Sequence, residues 1–189
     1  MEKKELIRQC AIEVISEKGY HNTTIKMIAD KANVAVGTIY NYFKNKDEII
    51  DYIFRVEHDK RVKFLKDIED NNKHISEKIS KFLDFHFEQL KENPKVGKVL
   101  IQESMMPNRR SIEGVKKFLN DLPIIFTSML KKAKERNEIR ELNYELVSHV
   151  IFHAIRGAVY RVESTNDILK DYEMTKKEVL QFILKGIEK

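Results

Sequence analysis

Cysteine, proline and glycine are scarce in this chain, and each shortage narrows what it can be. A single cysteine, Cys10, among 189 residues excludes an internal disulfide and fits a reducing compartment, the cytoplasm. Beside Ala11 in an apolar pattern, Cys10 reads as a small buried hydrophobe rather than a reactive thiol. Three prolines and six glycines leave few chain breakers, so long helices are expected. No run of about 18 apolar residues occurs, which excludes a membrane-spanning helix. The charged stretch from Met1 to Gln9 leads directly into an amphipathic pattern and predicts no secretory signal. No segment alternates cleanly with period two, so no sheet is expected. Phosphate-cradling glycine loops, nucleophile–base spacings and cysteine or histidine ligand clusters are also missing, which argues against an enzyme, a cofactor or a metal centre. His149 and His153 stand four apart on one helix face, yet no glutamate lies between them in the metalloprotease arrangement, and a plain helical face is the preferred reading.

What remains is a helix-rich composition with 42% hydrophobic and 34% charged residues. Leu6, Ile7, Cys10, Ala11, Val14 and Ile15 repeat at helical steps and stop at Gly19. Thr24 can cap a short second helix that ends near Ala32. Asn33 suits a tight turn, because asparagine tolerates positive φ. A third helix then runs from Val36 to about Asn41, and a long fourth one from about Asp47 to a break at Asp70-Asn71-Asn72. Further helices are expected over Ser76–Leu90, Val96–Met105, Ser111–Arg136 with a kink at Pro123, and from an Asn143 cap to about Val162. Thr175 with Glu178 reads as a capping box opening the last helix. The fold class is all-α with about nine helices, divided into residues 1–46 and 47–189.

The net charge of +5 is a weak pointer to a polyanion, but its placement is stronger. From Tyr20 to Lys46 four lysines (Lys26, Lys31, Lys44, Lys46) face one acid, Asp30. Two short helices joined by a tight turn describe a helix-turn-helix, whose second helix enters the major groove of double-stranded DNA. Gly37 near the start of that helix costs about 1 kcal/mol relative to alanine, and close approach to a DNA backbone gives it a reason. Val36 and Thr38 offer methyl groups to thymine, while Tyr42 and Lys46 are spaced to reach phosphates. Phe43 reads as core; Tyr40 serves either as core or as a groove contact.

The stretch from Thr24 to Ala29 and from Asn33 through Gly37-Thr38-Ile39-Tyr40-Asn41-Tyr42-Phe43 to Asp47 resembles the signature of the TetR/AcrR family of repressors. That resemblance implies an all-α homodimer with an amino-terminal three-helix DNA-binding domain and a carboxy-terminal ligand domain. It implies phosphate contacts from Thr24, Thr38, Tyr42 and Lys46, with Val36, Gly37, Tyr40 and Asn41 near bases or backbone. The usual turn glycine is Asn33 here, the usual serine opening the recognition helix is Ala35, and the usual acidic capping partner is Met27.

In the larger domain, Phe82, Phe85, Phe87, Met106, Phe126 and Phe152 belong to an apolar set able to form core or line a pocket. Arg109 and Arg110 either hold an anionic head group or are exposed loop residues. Within the family the chain resembles the fatty-acid-metabolism regulators that respond to acyl-CoA thioesters. A multidrug-efflux type of regulator is the alternative, with Glu103 receiving a hydrophobic cation; a helical enzyme is the alternative of another class. The Asn143 helix carries Ala154, Gly157 and Ala158 beside Val150, Ile151, Ile155 and Val159. With Val179, Leu180, Ile183, Leu184 and Ile187 of the last helix it would build a four-helix dimer interface. Such a dimer meets a palindromic operator, and an effector that tilts the fourth helix would release it.

Overall fold

The computed structural model describes residues 2–69, 72–163 and 168–189. Among these there is no strand. The helices are α1 (Lys3–Lys18), α2 (Ile25–Lys31), α3 (Val36–Tyr40), α4 (Lys46–Glu69), α5 (Ile75–Glu92), α6 (Pro94–Met105), α7 (Glu113–Glu135), α8 (Tyr144–Glu163) and α9 (Ile168–Ile187). A 3-10 turn, Pro107–Ser111, joins α6 to α7. The predicted break at Asp70-Asn71-Asn72 lies outside the described residues except for Asn72.

The chain forms two compact units, Met1–His58 with Lys95–Phe118, and Asp59–Pro94 with Leu119–Lys189. The first unit therefore holds α6, the 3-10 turn and the starts of α4 and α7 together with α1 to α3. Its core is built on fully buried Ile7, Ala11, Ile15, Ile28, Ile49 and Phe54, with Phe118 edge-on to Phe54 at 5.5 Å. Ile12 is also fully buried, so α1 is enclosed beyond the single face its apolar period suggests. Arg8, 4% exposed, ties α1 to α4 by pairing with Glu5 at 2.7 Å and Glu57 at 3.4 Å. Burial acts against its charge, but the Glu5 and Glu57 carboxylates outweigh it and raise the pKa.

Gly114 marks a close approach of α7 to α4. Its N–H donates to Asp51 Oδ1 at 2.7 Å, so the α4 carboxylate satisfies an amide in the first turn of α7. A Cβ at Gly114 would stand 2.4 Å from the Asp51 carbonyl oxygen, a backbone atom that cannot swing aside.

The second unit packs α5, most of α7, α8, α9 and the end of α4. Phe82 meets Phe126 edge-on at 5.2 Å and Phe87 meets Tyr172 at 5.6 Å. The Lys78 ammonium is buried and donates to the Glu69 carbonyl at 2.6 Å, placing positive charge at the α4 C-terminus. Arg140 does the same for α9 through the Gly186 carbonyl, at 2.6 Å from Nη2. Asn143 Oδ1 accepts from the Leu146 amide at 3.1 Å, as its reading as a cap anticipates. Thr175 does not open the last helix. It lies inside α9, 7% exposed, because the helix already runs from Ile168. Pro123 sits within α7 without ending it.

One face of α8 and α9 is internal, with Ile151, Ile155, Val159, Ile183 and Ile187 buried. Neighbouring positions are not: Leu146, Val150 and Phe182 are 60%, 49% and 65% exposed. They border an apolar groove of about 430 Å³ together with Val147, Ile151 and Ile183.

Gly114→Ala tests the contact between α7 and α4. Alanine is worth about 1 kcal/mol more than glycine inside a helix, whereas overpacking costs about 1–3 kcal/mol. The Cβ clash should win, giving a lower thermal midpoint. A midpoint at or above that of the parent protein would mean that the two backbones separate freely.

Candidate nucleic-acid interface

Thr24 enters α2 from extended backbone, and its Oγ1 accepts the Met27 amide at 3.2 Å. This fills one of the amide donors that a helix start leaves unpaired. At the other end Asn33 adopts φ 51, which turns the chain between α2 and α3. Backbone bonds hold that turn, from the Val34 amide to the Ala29 carbonyl at 3.0 Å and from the Asn33 amide to the Asp30 carbonyl at 3.2 Å. Ala35 precedes α3 with no side-chain cap, and the Thr38 amide bonds to the Ala35 carbonyl at 2.9 Å instead.

The short α3 is strongly two-faced. Ile39 is fully buried and Phe43 just beyond the helix is 2% exposed, its ring 5.6 Å from Tyr52. Tyr40 points the other way at 53% exposure, so it is not core. Val36, Gly37, Asn41 and Tyr42 are exposed with it, Thr38 is half-buried, and Thr24 is exposed nearby in sequence at the start of α2. Apart from its chain neighbours and its own helix backbone, nothing among the described residues comes within 4 Å of a Cβ built at Gly37. The fold itself thus gives no steric reason for glycine at this position.

The lysines of this region divide into two kinds. Lys26 is exposed, and the Lys44 side chain is 87% exposed at 4.0 Å from Glu48. Lys31 pairs with Glu13 at 2.7 Å. Lys46 turns inward: its ammonium donates to the Tyr20 carbonyl at 2.5 Å and the Thr23 carbonyl at 2.6 Å, and lies 4.0 Å from the Tyr20 ring centre. Burial and the neighbouring Arg109 charge lower its pKa. In this conformation Lys46 closes the α1–α2 turn.

The residues read as pocket-lining fall into both units. Phe82, Phe87, Phe126 and Phe152 are buried in the second, where Phe85 stacks on Phe64 at 4.2 Å. In the first unit Met106 and Arg110 are exposed, while Arg109 is 6% exposed. Its Nε donates to Glu103 Oε2 at 3.0 Å and its Nη1 to Asp47 Oδ1 at 3.1 Å. The second unit also carries a mixed groove of about 610 Å³ bordered by Thr127, Lys131, Leu142, Tyr144 and His149. None of the sequence-derived pocket residues borders this groove or the apolar one between α8 and α9.

A short exposed helix behind a positive-φ turn and a capped partner helix defines a helix-turn-helix DNA-binding protein. The profile of the bacterial regulatory proteins of the tetR family matches residues 7–53. The fatty acid metabolism regulator protein of Bacillus subtilis is 30% identical over 185 residues, covering 96% of this chain and 93% of that protein. Among solved structures, the fatty acid degradation regulator FadR of Bacillus halodurans superposes with a TM-score of 0.87 at 26% identity, covering 98% of this chain and 96% of its own. FadR of Bacillus subtilis in complex with stearoyl-CoA gives 0.84 at 27% identity, with 97% and 99% covered. The chain belongs to the TetR family of transcriptional regulators.

Gly37→Ala separates stability from binding. Alanine should leave the free protein as stable or stabilise it by up to about 1 kcal/mol, while weakening its hold on a duplex. Unchanged affinity in a fluorescence-anisotropy titration would show that DNA does not approach the backbone at residue 37.

Proposed function

We propose that this protein is a homodimeric, non-enzymatic transcriptional repressor of the cytoplasm, which binds a palindromic operator and is released by a long-chain acyl-CoA. One observation carries the reading. The face of α3 away from the Ile39 and Phe43 anchors presents Val36, Gly37, Tyr40 and Asn41 to solvent, with Tyr42 exposed just beyond. Large apolar groups held outward on a rigid short helix suit a groove lined by thymine methyls and sugar edges. Thr24, Thr38, Tyr42 and, once turned outward, Lys46 serve the phosphates on its walls.

Dimerisation through α8 and α9 accounts for the exposed Leu146, Val150 and Phe182 around their apolar groove. A symmetric pair of such faces builds a four-helix interface and sets two recognition helices about one turn of DNA apart, roughly 34 Å. No helix among the described residues is long and apolar enough to cross a membrane. The acyl-CoA assignment is supported by the full-length likeness to fatty-acid regulators and by the stearoyl-CoA complex of one of them. The buried aromatic set Phe82, Phe87, Phe126 and Phe152 borders neither the apolar nor the mixed groove, so an acyl chain among these rings requires them to part. The efflux-type alternative needs a carboxylate for a cation, yet Glu103 is 5% exposed and bonded to Arg109. Release follows if the effector prefers a tilted α4, because both half-sites then fit less well; a coupling of about 1–3 kcal/mol is the usual scale.

Phe182→Asp should convert a dimer into a monomer in sedimentation or light-scattering measurements. Loss of a buried aromatic anchor costs about 2 kcal/mol or more, and a carboxylate in its place adds desolvation. A dimer of unchanged strength would move the interface away from α9. For the effector, stearoyl-CoA should dissociate wild-type protein from a duplex selected out of a random pool, whereas free CoA should not. Equal release by both would remove the acyl chain from recognition.

A further inference from the structure

His86 of α5 is buried in the second unit, 8% exposed, beside two rings of the aromatic set. Phe82, one turn earlier on the same helix, stacks on the imidazole at 5.8 Å and meets Phe126 of α7 edge-on at 5.2 Å. Phe87 stands edge-on to the imidazole at 5.7 Å. From α4, the fully buried Arg61 donates from Nε to His86 Nδ1 at 3.1 Å. That bond settles the state of the ring. A guanidinium has only donors, so Nδ1 must offer its lone pair, and the neutral imidazole then carries its proton on Nε2. A flipped ring would turn a C–H toward Arg61 and lose the bond. Burial and the Arg61 charge both hold the imidazole pKa well below its ordinary value, so a second proton is refused. Nε2 is thus a fixed donor, and it has no hydrogen-bond partner among the described residues. Thr175 Oγ1 on α9 shares that condition, but a hydroxyl can rotate onto a main-chain carbonyl of its own helix, and an imidazole pinned by Arg61 cannot. A buried donor without an acceptor is costly, and whatever brings an oxygen to it removes the cost.

We propose that His86 donates its Nε2–H to the acyl carbonyl oxygen of the effector, with Arg61 as the positioning residue that holds the ring in the donating tautomer. This deepens the acyl-effector reading and rests on it. A saturated chain alone gives the donor nothing, whereas the oxygen at the head of the chain completes it. The bond exists only once the aromatic rings have parted to admit the ligand. It therefore stabilises that state and not the closed one, which is the differential affinity a population shift needs.

The probes are stearoyl-CoA, stearate and S-octadecyl-CoA, a thioether that keeps the chain and the CoA group but replaces the carbonyl by methylene. In calorimetric titration of the full-length wild-type protein, stearoyl-CoA should bind about tenfold more tightly than the thioether, the usual scale for a buried donor deprived of its acceptor. His86→Phe should bind the two alike. His86→Gln, whose amide donor reaches the same distance from the backbone, should keep most of the preference. In protein carrying isotope-labelled histidine, the His86 Nε2 resonance is assigned by its loss in His86→Gln. It should carry a proton in the free protein and shift on saturation with stearoyl-CoA. If stearate moves it and stearoyl-CoA does not, the bond stands and its oxygen belongs to a free carboxylate. The proposal is overturned if the two CoA compounds bind wild-type protein alike and stearate leaves the resonance in place, or if the preference persists in His86→Phe. If His86→Phe fails to fold, a resonance unmoved by both stearoyl-CoA and stearate overturns it instead. Wild-type protein that binds none of the three probes sinks the acyl-effector reading itself, a result distinct from equal binding.

Discussion

A five-residue helix cannot persist by itself, because nucleation costs more than so few hydrogen bonds return. Everything ascribed to α3 therefore depends on two buried anchors, Ile39 within it and Phe43 beyond it. Their burial fixes which residues face outward, and the Asn33 turn fixes the direction in which the helix leaves α2. Regularity in α3 is thus a tertiary product. The amides after Ala35 are held by the backbone alone, since alanine supplies no cap. Loss of a serine cap is tolerable here because the anchors, rather than the first turn, hold the helix in place.

Local chemistry was legible where the determining contacts lie within a few residues. The Thr24 cap, the positive φ at Asn33 and the burial of Phe43 each follow from neighbours in sequence. Thr175 shows the limit of that approach. A threonine three residues before a glutamate fits a helix start, but the same spacing fits a helix interior when apolar residues precede it. Tyr172, fully buried three residues earlier, is the signal that α9 had already begun. The 3-10 turn over Pro107–Ser111 fills the gap left between the helices expected over Val96–Met105 and Ser111–Arg136, where Pro107 favours a fresh start.

Long-range pairing left no trace in the sequence pattern. Arg109 reads as half of an arginine pair after a proline, and Glu103 as a lone acid at the end of an apolar helix. Only folding brings them to Tyr20, which stands 89 positions before Arg109 in the chain. Of the two adjacent arginines, Arg109 is buried and Arg110 exposed. No periodic rule distinguishes them, because a 3-10 turn places neighbours roughly 120° apart.

Charge counting meets a similar boundary. Four lysines near the recognition helix suggest a uniform positive patch, yet they have different neighbours. Lys44 is almost entirely in solvent, Lys31 is matched by Glu13, and Lys46 is folded onto two carbonyls and a ring. An ammonium on main-chain oxygens gives up little when a phosphate becomes available, because both offer oxygen acceptors and the phosphate adds a full negative charge. The inward Lys46 closes the α1–α2 turn in the free protein, and the phosphate contact proposed for it requires that it leave the Tyr20 and Thr23 carbonyls. The same side chain then reports the state of that turn, since leaving the Tyr20 carbonyl exposes a hydrogen-bond acceptor that the surrounding fold must resettle. The proposed phosphate contact would therefore compete with closure of that turn at a single residue. A net charge per segment, which counts Lys46 once and unconditionally, has no means of expressing that competition.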